Sequence, residues 1–472
     1  MQASILTSQL WTAAGMASGP LDRLQFSNTH VQLPSVFPVG AVAAATIGAQ
    51  ALMAAELWRQ RGGQSQQVTI DQAHALAMFR SERYLTVDGK APPDPWDALA
   101  GYYQAGDGRW IQLHTNFPHH HQGVVRVLQC ADNREAVAAA IKTWRADQLD
   151  VRLAEEGLCA AMIRGPQEWR AHPQAAAIAA LPLFDIERVA DAPAEPLAMR
   201  GASTLDVQTD LRRPLDGVRV LDLSRIIAAP VAGRTLAQHG ADVLAVSAAH
   251  LPNIPTLVID NGRGKRAAQL DLRQRHDAER LRELVRGADI FLHAYRPGAL
   301  AARGFSSAAL QALRPGLVEV SLSAYSHKGP WAERRGFDSL VQSATGIAWE
   351  EGQAAGLDQP GKLPCQALDH ATGYLAAFCA MAALRRRASE GGGWRVRVSL
   401  AQTGAWLQAM DRVPAGLSHP DLTPRQVEQW IELTPSAFGN VGAVAPAERM
   451  AETPAHFALP PAPLDAYEAA WL

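Results

Sequence analysis

From Pro214 onward the chain alternates short apolar, β-branched runs with helix-like stretches, and few folds accommodate that pattern. Val218–Leu223 (VRVLDL), Asp242–Val246 (DVLAV), Asp289–Tyr295 (DIFLHAY) and Leu317–Leu322 (LVEVSL) read as strands. Val231–His239, Asp277–Arg286 and Ser307–Leu313 carry helical patterning between them. Strands that are apolar along their whole length are buried on both faces, which calls for helices above and below a parallel sheet. The expected fold class is α/β: a doubly wound parallel sheet over 214–410, joined to a second, smaller α+β domain. Ligands of such sheets bind beyond the carboxyl ends of the strands. Ser224–Pro230, Ser247–Lys265, Tyr295–Gly298 and Ser323–Tyr325 are therefore expected around one crevice. No GxGxxG follows the first strand, so this Rossmann-like pattern lacks the phosphate loop of nicotinamide binders.

The upstream part is organised differently. Residues 1–35 are weakly patterned and read as a partly ordered arm, and 40–61 reads as a buried helix ending at Gly62-Gly63. A strand at Gln66–Ile70 and a helix from Asp71 follow. The same order recurs in the helix from Asp369, Gly391–Gly393, the strand Arg395–Leu400 and AQTGAWL. Aligning Val68 with Val396 and Ile70 with Val398 sets Ala41 against Asp369, a partial internal duplication in which only the second copy carries a carboxylate. The smaller domain is expected within 36–200, with a hairpin at Gly101–His114 around Asp107-Gly108. Helices are expected at Gln122–Gln129, Arg134–Thr143, Arg145–Glu156 and Pro166–Ala180. Residues 201–213 read as a polar linker, and 411–472 as a segment returning to the large domain. His119–His121 are three consecutive side chains, which no regular element converges on one ion, so they are read as a loop entering a helix and no metal is expected.

Composition narrows the function classes. A net charge of −2 with 19% charged residues leaves no footprint for nucleic acid. Cys130, Cys159, Cys365 and Cys379 show no disulfide or zinc spacing, which fits a reducing, cytoplasmic setting. The apolar run Val39–Ala55 is short and interrupted by Gln50, so no membrane span is expected.

The segment Leu363–Arg387 (LPCQALDHATGYLAAFCAMAALRRR) turns at Asp369 from loop into a long apolar helix, and Asp369 is its one carboxylate. Read by itself, an acid at that place caps free N–H groups. The alternative is a nucleophile, and the surrounding motifs favour it. PLDGVRVLDLSRIIAAP, LAQHGADVLAV, NGRGKRAAQLDL, ADIFLHAYRPGALAARGF, LRPGLVEVSLSAYSHKGP, GFDSLVQSATGI and LDHATGYLAAF occur in this order. Together they closely resemble the family III CoA-transferases, the carnitine dehydratase and bile-acid-inducible group. The resemblance is strongest over Pro214–Leu407, while 40–200 is similar to the family's second half, which implies that the small domain precedes the large one in the chain.

The resemblance implies a transferase acting on acyl-CoA and a carboxylate, with Asp369 as nucleophile passing through a mixed anhydride and an aspartyl-CoA thioester. It implies that Ile226, Ile227 and Ala228 lie along the pantetheine, and that Lys265 and Arg266 meet the CoA phosphates. It further implies that Tyr295 and Arg296 flank the adenine, and Ser323 joins the expected cofactor set from its place at the strand-end crevice. A helix N-terminus is expected to keep Asp369 ionised. Family members form interlocked dimers, so a homodimer is expected, although one chain could complete the pairing internally. The chain departs from the family at Ser247, at His293-Ala294, at Ile227 and in KAPPDPWDALA, where a glycine-rich loop is usual. Two other readings share the fold. One is a CoA-binding protein without turnover; the other is an acyl-CoA racemase, which needs His where Phe337 stands in Gly336-Phe337-Asp338.

Overall fold

The computed structural model describes residues 2–93, 96–197 and 213–472. Seven strands make the principal sheet: β1 (Phe184–Ala190), β2 (Arg219–Leu223), β3 (Asp242–Ser247), β4 (Arg266–Gln269), β5 (Ile290–His293), β6 (Val318–Ser323) and β7 (Gly393–Ser399). Their order across the sheet is β4-β3-β2-β5-β6-β7-β1. β2 to β7 run parallel, and the register places Val220 beside Ile290, Ile290 beside Val318 and Val318 beside Trp394. Winding goes one way from β2 to β3 and the other way from β2 to β5, so the crevice opens between the loops that follow β2 and β5.

The edge strand corrects the sequence reading. Phe184–Ala190 was expected with the smaller domain, but it pairs antiparallel with β7 and completes the large sheet. The sequences explain this pairing: Asp185 and Glu187 meet Arg397, and Glu187 also meets Arg395.

Five helices position the site: α1 (Gln2–Ala13), α2 (Val39–Gln60), α3 (Ala228–Gln238), α4 (Asp338–Thr345) and α5 (Ala367–Glu390). Instead of a partly ordered arm, residues 2–13 form α1, which packs on α2 with Leu10 and Trp11 buried. The helix α2 extends past the apolar run Val39–Ala55 to Gln60. Both α2 and α5 thereby reach a length and apolarity sufficient to cross a membrane, and both are enclosed by other parts of the protein. They pack against each other, and the duplication read in the sequence is visible around them. After α2, Val68–Asp71 lies between Leu24–Ser27, which is parallel, and Glu448–Met450, which is antiparallel. After α5, β7 lies in the same way between parallel β6 and antiparallel β1. Each of these strands ends in a capping side chain: Asp71 accepts from the N–H groups of Ala73 and His74, and Ser399 from that of Gln402.

Residues 99–162 build a separate hydrophobic core around Leu99, Tyr103, Ile111, Val124, Leu149 and Leu153. Its sheet is the hairpin Gly101–Gln104 and Trp110–Leu113 with Ala160–Met162. The turn needs Gly108, whose φ is +78°. Helices occupy Pro118–Leu128, Arg134–Ile141 and Ala146–Glu155. The single helix expected over 166–180 is two, Pro166–Arg170 and Pro173–Ala179, because Pro173 cannot continue the first. Apart from Arg213, the expected linker lies outside the described residues. The stretch 451–472 runs back along the large sheet, where Tyr467 N–H donates to the Ala267 carbonyl at 3.0 Å and Arg266 to the Ala470 carbonyl at 2.6 Å.

The contact of α3 with α5 is unusually close at Gly373, where a Cβ would stand 2.4 Å from the Ala228 carbonyl oxygen and 2.8 Å from Val231 Cβ. This glycine lets the first turns of α5 lie against the loop after β2. Gly373→Ala forces backbone apart in a packed core, and denaturant unfolding is expected to show a loss of about 1–3 kcal/mol.

Candidate active site

The loop after β2 is the most constrained backbone near the crevice. Ile226 has φ +77°, a left-handed conformation that a β-branched residue avoids, at a strain of order 1–3 kcal/mol. The surroundings hold it there. Asn261 Nδ2 donates to the Ile226 carbonyl at 2.9 Å, and α3 begins two residues later. Ile227 and Ala228 are buried, whereas Ile226 is partly open and lines the crevice.

Asp369 stands in the first turn of α5 and is 7% exposed. It lines a cavity of about 730 Å³ together with Glu82, Tyr102, Phe337, Asp338 and Gln342. Its side chain caps nothing, which removes the capping alternative. Asp338 does that work instead: its Oδ2 accepts from the Asp369 N–H at 2.9 Å, and Gln342 donates to its Oδ1. Among the described residues the Asp369 carboxylate has no hydrogen-bond partner of its own.

The electrostatics run against the sequence expectation. Burial, then Asp338, then Glu82 push the Asp369 carboxyl well above the ordinary range. Asp338 rises to about 6, chiefly through burial, although the Asp369 N–H favours its ionised form. A helix N-terminus stabilises an anion by about 0.3–2 kcal/mol, whereas full burial moves a carboxyl by up to 3–5 pKa units. Desolvation wins, and both acids hold their protons more tightly than an exposed carboxyl would. Glu82 in turn holds His370, whose Nε2 lies 3.2 Å away.

The expected cofactor residues separate into groups. Ile226, Ile227 and Lys265 reach the cavities; Ile226 joins the large cavity to a narrower one lined by Ser224, Arg225, Ser247 and Lys265. Lys265 Nζ is already bonded to Asp222 Oδ2 at 2.8 Å and to the Pro230 carbonyl at 2.8 Å, so no free ammonium faces a phosphate. Arg266 is buried in an ion pair with Asp242 at the amino ends of β3 and β4, away from the crevice, which corrects its expected phosphate contact. Tyr295 is partly buried beyond the end of β5, Arg296 beside it is exposed, and Ser323 closes β6. His119–His121 open the helix Pro118–Leu128 and go separate ways. His120 Nε2 is 3.3 Å from Cys159 Sγ, His121 bridges Asp97 and Asp132, and His119 stacks on Phe117.

Sequence reasoning missed Arg225, Asp338 and Glu82. Arg225 lines the narrower cavity and donates to the Pro252 carbonyl at 2.8 Å; burial, with Arg335 adding to it, holds its guanidinium below the ordinary range. Neither Arg225 nor Arg335 has a carboxylate partner among the described residues. Arg225 was legible as the one cation in the loop after the first strand, and Asp338 as the acid opening a helix after Gly336. Glu82 had no such signal, because it arrives from a distant part of the chain.

Raised carboxyls make the folded protein bind protons that the unfolded chain releases near pH 4, so stability falls as pH rises from there through about 6. Asp369→Asn removes one acid and relieves the other. Between pH 4 and 7 wild type is expected to lose on the order of 1–3 kcal/mol more stability than Asp369→Asn, measured by denaturant unfolding at each pH.

The family model described as CoA-transferase family III matches residues 15–204 and 215–435. An acyl-CoA transferase of Gibberella moniliformis is 29% identical over 71% of this chain and 64% of its own length. A probable fatty acyl-CoA transferase of Mycobacterium tuberculosis is 31% identical over 45% of this chain and 58% of its own. The chain thus spans less than two thirds of these curated relatives. A crystal structure of a CaiB/BaiF family protein from Brucella suis is 29% identical over 42% of this chain and 56% of that one, with a TM-score of 0.37. With matched stretches covering most of its length, this chain belongs to the family III CoA-transferases.

Proposed function

We propose that the chain moves CoA between carboxylic acids with Asp369 as the nucleophile. One observation carries the reading: a carboxylate without a hydrogen-bond partner lines a large cavity that adjoins, through Ile226, a cleft bearing unpaired arginine. A carboxylate oxygen of Asp369 attacks the thioester carbonyl, the C–S bond breaks, and CoA leaves as thiolate from a mixed anhydride. The thiolate then attacks the Asp369 carbonyl, releasing the first acid and leaving an aspartyl-CoA thioester. An acceptor carboxylate attacks the aspartyl-CoA carbonyl, releasing CoA thiolate from a second mixed anhydride, and the thiolate attacks the acceptor's acyl carbonyl, which yields the new acyl-CoA and free Asp369. The raised pKa makes the ionised carboxylate basic and poorly solvated, hence a stronger nucleophile, and Asp369 sheds its proton before it attacks an arriving acyl-CoA.

What each cation already holds supports one reading of where the cofactor lies. The phosphates lie toward Arg225 and Arg335, the pantetheine runs past Ile226–Ala228, and the adenine lies toward Tyr295. This departs from a phosphate site at Lys265 and Arg266, whose charges are neutralised by Asp222 and Asp242. Both walls of the cavity come from one chain, residues 82–134 and 226–369. A homodimer, part of the same reading as the cytoplasmic setting, is therefore not needed to complete the site. In this reading the two matched stretches are the family's parts in changed order, small domain first.

Incubation with acyl-CoA followed by mass spectrometry is expected to find a CoA adduct on Asp369. Asp369→Ala and Asp369→Asn should both be folded, bind CoA and form no adduct; full transfer by the Asn variant would refute the nucleophile. Wild-type protein that binds CoA but never forms the adduct would instead be a binder without turnover. Arg225→Ala is expected to weaken CoA binding about tenfold and to reduce its salt dependence, as read by calorimetry at two ionic strengths.

A further inference from the structure

Five histidines of this chain are buried, and four have a partner: His74 the Ala445 carbonyl, His120 the Cys159 thiol, His239 the Gln50 side chain and His370 the Glu82 carboxylate. The exception is His114. It is 6% exposed, lines the same cavity as Asp369, and its buried Nδ1 has no hydrogen-bond partner among the described residues. Leaving a buried polar group without a partner costs about 1–3 kcal/mol, so buried imidazoles are normally bonded. Packing holds the ring firmly nonetheless. It stacks on Phe337 with centroids 3.9 Å apart and planes 11° from parallel, and Trp96 meets it edge-on at 5.8 Å. Ser339, in the first turn of α4 and on the same cavity, likewise has a hydroxyl without a partner.

We infer that His114 is a specificity-determining residue, and that the acyl group handled here carries a neutral oxygen function, a hydroxyl or keto group, that hydrogen-bonds the imidazole between Trp96 and Phe337. The inference rests on the transferase reading of this cavity. Burial lowers the His114 pKa to about 4, so at neutral pH the ring offers a hydrogen bond and no positive charge. A second carboxylate placed there would be buried without a counter-ion, which is far costlier than a hydroxyl. A plain alkyl chain would fill the space and leave the imidazole unbonded. Sites built to hydrogen-bond a substrate discriminate more steeply than pockets that sort by size, because the wrong substrate strands the buried polar group.

The test compares butyryl-, 3-hydroxybutyryl-, acetoacetyl- and succinyl-CoA as donors to wild-type protein, reading kcat/KM for adduct formation on Asp369. The hydroxy or keto thioester is expected to exceed butyryl-CoA by at least about tenfold and to exceed succinyl-CoA as well. In His114→Phe, which keeps the stack on Phe337, the preference over butyryl-CoA should fall toward one, and His114→Gln should restore part of it. Equal rates, or a preference for butyryl- or succinyl-CoA, overturn the inference while leaving the transferase reading intact. An undiminished preference in a folded His114→Phe overturns it too, and the wild-type ratios decide without any variant. If none of the four thioesters gives an adduct, the transferase reading fails and this inference falls with it.

Discussion

A helix that is apolar on every side must be enclosed on every side, and α5 imposes that requirement on the rest of the fold. From Ala367 to Leu384 every residue of α5 is buried. The large sheet covers one side through β6 and β7, α3 another, and α2 a third. Alanine and glycine allow this density, since short side chains let helix axes approach and let Gly373 sit against the Ala228 carbonyl. α2 is built in the same way, which is why the two membrane-length helices serve each other as core. The internal duplication is thus a packing solution: two all-apolar helices, each continuing into a strand flanked by one parallel and one antiparallel neighbour, enclose one another.

Enclosure also sets the chemistry. Asp369 begins α5, so the density that buries Tyr374 and Phe378 leaves the acid little water. Its own helix dipole is too weak to compensate, and Asp338 and Glu82 raise its pKa further. The bond from the Asp369 N–H to Asp338 fixes the turn without neutralising the carboxylate, so position and reactivity come from different atoms of the same residue. An acid already capping a helix would have its lone pairs engaged. This one leaves capping to a neighbour and keeps its oxygens available.

What could be read in the sequence follows from whether a signal was local. The strands β2, β3, β5 and β6 were legible because burial writes short apolar, β-branched runs separated by helical patterns. The hairpin was legible because Asp107-Gly108 demands a turn with positive φ. Phe184–Ala190 fell inside the range expected for the smaller domain, and only its charges against Arg395 and Arg397 mark β7 as its partner. α1 was read as an arm because its signal is weak: its buried residues are spaced by contact with α2, not by strong amphipathicity. Asp369 was found through its motif, but the upward push on its pKa was not legible, because the two acids that add to burial lie 31 and 287 residues away in the chain. His114 carried no sequence signal at all; its character depends on what is missing around the ring.

The cations teach the same lesson in reverse. Lys265 and Arg266 stand out in the sequence as a basic pair, but a buried charge must be compensated locally, and folding has already supplied Asp222 and Asp242 for them. Such a cation has little left to offer a phosphate, since taking the ligand would strand its carboxylate. Arg225 is inconspicuous in the sequence, yet it is bonded through one nitrogen to a carbonyl and to no acid, and Arg335 lies close enough to lower its pKa. Two like charges held near each other without a counter-ion destabilise the protein until an anion arrives. In the proposed reading the CoA phosphates go where the fold leaves charge uncompensated, and basic residues in a motif mark such a place only when no acid has claimed them first.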